Sequence, residues 1–264
     1  MEGAERSEYQ DNPENEDKDE SEGAQMSRRV IISGGRRGVG GACVRRFCRE
    51  GDRVAFFYRS RTEEAERLCR ETGALAIRTD VSDPDAVRKA VAQAVDALGG
   101  VDVLISNAGV SQIKLFHELS DAEWRRMLDT DLSAAFYLSR EVAPYMIREQ
   151  AGKIVYVGSM WGKVGASCEV AYSAAKAGVR GLTMAQAKEL GPSGITVNCV
   201  EPGVIRTEMN AGLSPEVIRE LCEETPLGRM GEAEEIAAAI AFLASPAASF
   251  ITGQCLGVDG GFAV

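Results

Sequence analysis

The sequence predicts an α/β fold: one domain built on a doubly wound parallel sheet of about seven strands, with helices on both faces. Three observations predict it. Seven short, β-branched apolar runs recur from Arg29 onward, too uniformly apolar for strands with one wet face. Longer amphipathic stretches of helical spacing separate them. No repeat or linker interrupts the series, so residues 27–264 are expected to form a single domain.

The first strand is expected at Arg29–Ser33 and leads into Gly34-Gly35-Arg36-Arg37-Gly38-Val39-Gly40-Gly41, with a helix beginning near Ala42. Glycine permits positive φ and close approach of the backbone to a ligand. A helix N-terminus presents unpaired amides to an anion. A glycine-rich turn alone is weak evidence, but between the first strand and first helix of such a series it predicts a Rossmann-like pyrophosphate cradle. The second strand, Arg53–Tyr58, ends at Arg59-Ser60-Arg61. An acid at that strand end would bond the ribose diol of NAD and repel a 2′-phosphate. Tyr58 and Arg59 stand there instead, with Arg36 and Arg37 nearby in the loop, and guanidinium–phosphate bonds are charge-assisted. Any one of these arginines is equally well explained as a surface residue; together they favour NADP(H) over NAD(H).

The third strand is expected at Ala74–Thr79, followed by Asp83-Pro84, an N-cap with proline at the first helical position. The fourth, Val101–Ser106, precedes Ser120-Asp121-Ala122-Glu123, which reads as a capping box. Further strands are expected at Lys153–Gly158, Gly194–Val200 and Gln254–Val258, and a long helix from Ala171 to Glu189.

Composition bounds the chemistry. A chain with 45% hydrophobic and 27% charged residues has the make-up of a soluble protein with a sizeable core. No stretch approaches the roughly 20 apolar residues of a membrane span, and no secretory signal is expected. The net charge of -10 is concentrated in residues 1–26, where ten acids face two bases; the rest of the chain holds 30 acids and 28 bases. An acidic, weakly hydrophobic N-terminal tail is expected to be disordered. Neither part has the basic footprint of a nucleic-acid-binding protein. The seven cysteines are scattered without a CxxC pair, which argues for reduced thiols in a cytoplasmic protein. With His117 the only histidine, no metal site is expected, and catalysis must rely on Tyr, Lys, Ser or carboxylates.

Tyr172 and Lys176 lie four residues apart, on one face of the long helix. A tyrosine with an ordinary pKa near 10 is a poor acid–base catalyst unless its phenolate is stabilised, and a nearby ammonium does this. Ser159, at the end of the fifth strand, could bond a substrate oxygen beside Tyr172. Alone, this spacing is common by chance.

With the other motifs, residues 27–264 resemble the short-chain dehydrogenase/reductase family. Ser33-Gly34 through Gly38-Val39-Gly40 resembles its glycine motif. Asp80-Val81 matches the pair that holds the adenine, and Ser106-Asn107-Ala108-Gly109 the motif that steadies the sheet and lines the cofactor site. Ser159, Tyr172 and Lys176 match the family's active residues in order and spacing. The segment Glu201-Pro202-Gly203-Val204-Ile205-Arg206-Thr207 resembles the one contacting the nicotinamide, and Gly257-Val258-Asp259-Gly260-Gly261 the ending typical of tetrameric members. The resemblance implies hydride delivery to a ketone, with Tyr172 donating the proton, Ser159 holding the carbonyl oxygen, and Lys176 binding the ribose while lowering the pKa of Tyr172. One residue departs from the pattern: Asp131 stands where the family has an asparagine that holds a water at a helix kink. Either the carboxylate substitutes for the amide or the enzyme is weakened.

Within the family, the chain resembles bacterial 3-oxoacyl-(acyl-carrier-protein) reductases of fatty acid biosynthesis, and residues 159–172 also resemble 5-aminopentanone reductases acting on elongation factor P. Both reduce ketones, so mechanism does not separate them. Trp161 could wall the substrate pocket or belong to the core. Glu169 could recognise a substrate amine or cap the helix start. A non-catalytic NADP(H)-binding regulator is the contrasting reading, and a homotetramer the expected assembly.

Overall fold

The computed structural model describes residues 27–264; the acidic tail anticipated at residues 1–26 lies outside the described residues. Seven strands form one parallel sheet in the order β3-β2-β1-β4-β5-β6-β7. They are β1 (Arg29–Ser33), β2 (Arg53–Tyr58), β3 (Leu75–Arg78), β4 (Val103–Ser106), β5 (Gly152–Val157), β6 (Ile195–Pro202) and β7 (Cys255–Val258). The helices are α1 (Gly38–Arg49), α2 (Thr62–Thr72), α3 (Pro84–Leu98), α4 (Asp121–Leu128), α5 (Ala134–Glu149), α6 (Trp161–Val164), α7 (Val170–Leu190), α8 (Pro215–Glu224) and α9 (Ala233–Leu243).

Alternation along the strands builds two cores. Val30, Ile32, Val54 and Phe56 face α1, α2 and α9, while Ile31, Ala55 and Phe57 face α3, α5 and α7. Both sets are buried, which is why the strands read as continuous apolar runs. The caps form as their residues dictate. Asp83 accepts from the amides of Asp85 and Ala86, and Ser120 and Glu123 complete a reciprocal capping box. Among the described residues no helix is long and apolar enough to cross a membrane.

Three boundaries differ from expectation by two residues or more, the others by no more than one. Helix α1 begins at Gly38 rather than near Ala42, because the glycine-rich turn is itself wound into the first helical turn, with Gly41 N bonded to Arg37 O at 2.9 Å. Strand β4 begins at Val103, not Val101: the Asp102 carboxylate accepts from the Arg29 amide at 2.7 Å and starts the ladder only after itself. Strand β6 runs on to Pro202, carried by its pairing with β7 up to Pro202–Val258.

The strand order reverses between β1 and β4. β2 and β3 extend one way from β1, and β4 begins the other half on its opposite side. A crevice opens at the carboxyl ends of the strands at such a point, and ligands bind there in open α/β sheets.

Candidate active site

One continuous groove runs over the carboxyl ends of the strands, lined by the glycine loop, the ends of β2 to β6 and the N-terminal half of α7. Its floor is set by two glycines. Gly34 has φ +66° and lies so close to β4 that a Cβ there would meet Ala108 Cα at 2.8 Å. A Cβ on Gly40 would stand 2.3 Å from the Gly34 carbonyl oxygen. Asn107 locks the loop from the other side, its Nδ2 donating to the carbonyls of Ser33 and Gly34 at 3.1 and 3.2 Å. The Ser33 hydroxyl accepts from the amides of Asn107 and Ala108 at 3.0 and 3.1 Å.

The loop enters α1 with Arg37 at the N-cap and no side chain bonded to the first-turn amides. Those donors face the groove unsatisfied, and with the positive end of the helix dipole they make an anion site. Thr79 Oγ1 is also buried on the groove wall without a hydrogen-bond partner. A dinucleotide, with a pyrophosphate and several hydroxyls, fits these donors.

At the far end of β2, Arg37, Tyr58, Arg59 and Asp80 line the groove. Arg36 also reaches it but is ion-paired with Glu64 of α2. Arg59 stands 3.9 Å from Asp80 and is about half exposed. Burial works against the Asp80 carboxylate, but bonds from the Ser82 hydroxyl and amide, with Arg59 nearby, more than offset it and hold its pKa below the usual value.

Ser159, Tyr172, Lys176 and Asp131 meet on the opposite wall, beyond β4 and β5. Tyr172 and Lys176 rise from the first turns of α7, with the Lys176 ammonium 5.4 Å from the Tyr172 ring centre. Ser159 follows β5, its hydroxyl accepting from Trp161 N at 3.2 Å. Asp131 sits in a π-helical segment, Asp129–Ser133, between α4 and α5. The widened turn carries it inward to 3% exposure.

There Asp131 pairs directly with Lys176. Oδ2 lies 3.3 Å from Lys176 Nζ, Oδ1 accepts from Val110 N at 2.9 Å, and Lys176 Nζ donates to the Val157 carbonyl at 3.1 Å. Burial opposes the Lys176 charge, but Asp131 together with Tyr172 more than offsets this and the ammonium is held above the ordinary lysine value. Burial pushes the Asp131 carboxyl up, with Lys176 and the Val110 amide pulling against it. Burial is also the largest influence on Tyr172. Lys176 and the Ser159 hydroxyl pull its pKa down, Asp131 and Glu169 push it up, and it finishes above the ordinary tyrosine value. The expectation that Lys176 lowers the pKa of Tyr172 therefore holds for the lysine's own contribution but not for the balance. The phenol is protonated at neutral pH, and burial works against its losing that proton.

Of the cofactor and catalytic residues anticipated from sequence, Gly34, Arg36, Arg37, Gly38, Val39, Arg59, Asp80, Val81, Asn107, Ala108, Gly109, Asp131, Ser159, Tyr172, Lys176, Pro202, Gly203, Ile205 and Thr207 reach the groove. Ser33 and Gly40 shape it from behind. Val204 points elsewhere and lines a second cavity with Thr225, Leu227 and Gly260. Trp161 lies off the groove, edge-on to Phe262 at 5.3 Å and packed on the small core of Met127, Ala171, Tyr172 and Ala175. Glu169 holds the N-cap position of α7, yet its side chain makes no capping bond; only its carbonyl serves, accepting from Ser173 N at 2.8 Å. Capping by its carboxylate is thus not what the residue does, and burial holds that carboxyl above its usual pKa. Sequence reasoning did not single out Thr79, Thr130 or the Glu208–Asn210 turn, which also line the groove.

Comparison with known proteins agrees with this geometry. The family model described as enoyl-(acyl carrier protein) reductase matches residues 34–263. The chain is 37% identical over 241 residues to the 3-oxoacyl-(acyl-carrier-protein) reductase FabG of Staphylococcus aureus, covering 89% of this chain and 98% of that protein. It is 39% identical to a cis-4-hydroxycyclohexanecarboxylate dehydrogenase of Sinomonas cyclohexanicum, covering 89% and 96%. It is 37% identical to an acetoacetyl-CoA reductase of Shinella zoogloeoides, covering 89% and 98%. A solved short-chain dehydrogenase/reductase from Serratia marcescens superposes with a TM-score of 0.84 at 37% identity, covering 89% of this chain and 97% of that one. The chain therefore belongs to the short-chain dehydrogenase/reductase family, oxidoreductases acting on CH–OH and C=O groups.

Proposed function

We propose that the protein is an NADPH-dependent ketone reductase of the 3-oxoacyl-(acyl-carrier-protein) reductase kind, acting on a small or carrier-tethered ketone. The observation that carries the reading is the convergence of Ser159, Tyr172, Lys176 and Asp131 on one groove wall. The cofactor, when bound, supplies the hydride. The glycine loop and the α1 amides would hold its pyrophosphate, Asp80 and Val81 the adenine, and Asn107–Gly109 with Pro202, Gly203, Ile205 and Thr207 the nicotinamide half. Tyr172 donates its proton to the carbonyl oxygen, and the Ser159 hydroxyl donates a hydrogen bond to the same oxygen as charge develops. Lys176 stabilises the phenolate that Tyr172 becomes, and Asp131 keeps Lys176 charged. Burial of all four side chains keeps competing water away. A panel of ketones, free and carrier-tethered, followed by NADPH consumption tests the assignment; failure to turn over any activated ketone would leave an NADP(H)-binding regulator instead. The ending Gly257–Gly261 supports a homotetramer, and the composition a cytoplasmic protein.

The choice of NADPH rests on Arg37 and Arg59, since Arg36 is engaged by Glu64. NADPH is expected to be preferred, and Arg59→Asp to lower kcat/KM for NADPH by about tenfold or more while sparing NADH. That matches a charge-assisted hydrogen bond of about 1.5–3 kcal/mol. Equal kcat/KM for the two cofactors in the wild type would refute the preference.

A second substrate reading has its own observation. The Glu169 carboxylate has no hydrogen-bond or ion-pair partner among the described residues and, though it does not line the groove, it is close enough to raise the Tyr172 pKa. A half-buried carboxylate beside the proton donor suits a substrate ending in a protonated amine, such as an amino-ketone. Glu169→Gln is expected to cut kcat/KM for an amino-ketone by about tenfold and leave a neutral ketone of equal length unchanged. Equal losses for both ketones would remove Glu169 from substrate recognition.

A further inference from the structure

Cys199 and Cys255 are distant in the chain but direct neighbours across β6 and β7. The Cys199 amide donates to the Gln254 carbonyl at 2.8 Å, fixing the rung on which they sit. Neighbouring strands lie about 4.7–4.9 Å apart, inside the roughly 4.4–6.8 Å between Cα atoms that a disulfide spans. The two sulfurs and a carboxylate oxygen of Glu201 all lie within 4.8 Å of one another. The sulfurs share the sheet face beneath α7: Cys199 is buried in the core with Val179 and Ala187, and Cys255 packs against that core.

Two thiols and a carboxylate could in principle hold a soft cation. Here the Glu201 carboxylate is already ion-paired with Arg180 of α7, whose positive charge also repels a cation. The chemistry left to the cluster is that of the thiol pair. We propose that Cys199 and Cys255 form a reversible dithiol/disulfide site that ties β6 to β7 under peroxide and lowers the enzyme's turnover.

The two sulfurs are unequal in the way such a step needs. Cys255 is half-buried on the edge strand, within reach of a small oxidant, whereas Cys199 is fully buried. The neighbouring Cys199 sulfur and Arg180 pull the Cys255 thiol below its ordinary pKa, against burial and the Glu201 carboxylate. The neighbouring Cys255 sulfur and burial hold the Cys199 thiol, which donates to the Val200 carbonyl at 3.6 Å, well above its own. Cys255 is therefore the sulfur that ionises, and thiolates are the nucleophiles in such oxidations. Its thiolate attacks one oxygen of hydrogen peroxide, giving a sulfenic acid and releasing hydroxide. The Cys199 sulfur then attacks the Cys255 sulfur; the S–S bond forms, the S–O bond breaks, and the Cys199 proton leaves with the hydroxyl as water. Two electrons pass from the thiol pair to the peroxide. A thiol reductant reverses the change.

The effect on turnover follows from what Cys199 touches. Its Sγ packs where a Cβ on Gly158 would be, at 2.7 Å, and Gly158 immediately precedes Ser159. Drawing the sulfur toward β7 removes packing beneath Ser159 and shifts the sheet surface under α7, which carries Tyr172 and Lys176. This half of the proposal rests on the catalytic reading given above; the bond itself does not.

The test uses the full chain, reduced, then treated with hydrogen peroxide, alkylated and mapped by mass spectrometry, with NADPH-dependent ketone reduction measured in parallel. A Cys199–Cys255 crosslinked peptide is expected, with turnover reduced at least threefold and restored by dithiothreitol. Cys255→Ser should keep near-normal turnover and lose its sensitivity to peroxide. Cys199→Ala should form no crosslink and leave a sulfenic acid on Cys255 that dimedone traps. No crosslink, a crosslink between other cysteines, or equal peroxide sensitivity in Cys255→Ser overturns the proposal. A crosslink with unchanged turnover overturns the regulatory half. Reduced protein that turns over no ketone defeats the catalytic reading, while the peptide map still decides the dithiol site.

Discussion

Tyr172→Phe is expected to bind NADPH as the wild type does and to lose nearly all turnover. The ring is buried against Met127, Ala171 and Ala175, and phenylalanine keeps that packing, so the variant should fold with its groove intact. What it removes is the one acidic hydrogen that the site holds ready. A positioned general acid contributes about 10²–10⁴-fold to rate, and the loss should fall in that range. It should appear in kcat rather than in cofactor affinity, because the interaction removed is made in the transition state. Steady-state kinetics with an activated ketone, together with NADPH fluorescence titration, measure both. A variant retaining more than about a tenth of wild-type kcat, equivalent to about 1.4 kcal/mol of barrier, would sink the assignment of Tyr172 as proton donor.

The fold was legible because its signals are local. Arg29–Ser33 and Arg53–Tyr58 form strands with the bounds their β-branched runs indicate, and the capping residues Asp83 and Ser120 make the bonds their positions demand. The start of α1 was misplaced because glycine's weak helix propensity was overridden by tertiary contact. Gly40 must pass within touching distance of the Gly34 carbonyl, and only a helical turn of glycines does so. The groove's main residues could be identified because motif order carries over onto a shared sheet. Charge pairing could not. Nothing local joins Arg36 to Glu64, yet their ion pair takes one arginine out of the group counted toward a 2′-phosphate. The side chain of Glu169 likewise depends on what surrounds α7 rather than on its place at the helix start. The Thr79 hydroxyl is distinguished only by its burial without a partner, a fact of packing.

Asp131 is the residue whose role the sequence left open, and the structure makes the two possibilities give different kinetics. If the carboxylate merely filled the place of an amide holding a water, Asp131→Asn would leave activity within a few-fold. Here Oδ2 is an ionic partner of Lys176 at 3.3 Å, in a site where both side chains are almost wholly buried. Removing one member of a buried ion pair costs about 3–5 kcal/mol, because the other charge is left uncompensated. Lys176 would lose its largest source of stabilisation while keeping the full penalty of burial, so its pKa should fall. Asp131 also helps hold the proton on Tyr172, so that pKa should fall as well. Reduction requires Tyr172 protonated and Lys176 charged, so both changes act in one direction. The alkaline limb of the kcat profile for reduction should move to lower pH by at least about one unit, each unit being about 1.4 kcal/mol. At a pH between the variant's limb and the wild type's, the variant should be slower by about tenfold for each unit the limb has moved, and the deficit should narrow as pH is lowered and Lys176 regains its proton. NADPH fluorescence titration at the lower pH should show binding preserved. An alkaline limb that stays where the wild type has it, with activity within a few-fold at every pH, would show that the Asp131 charge plays no part in holding Lys176 and Tyr172 protonated.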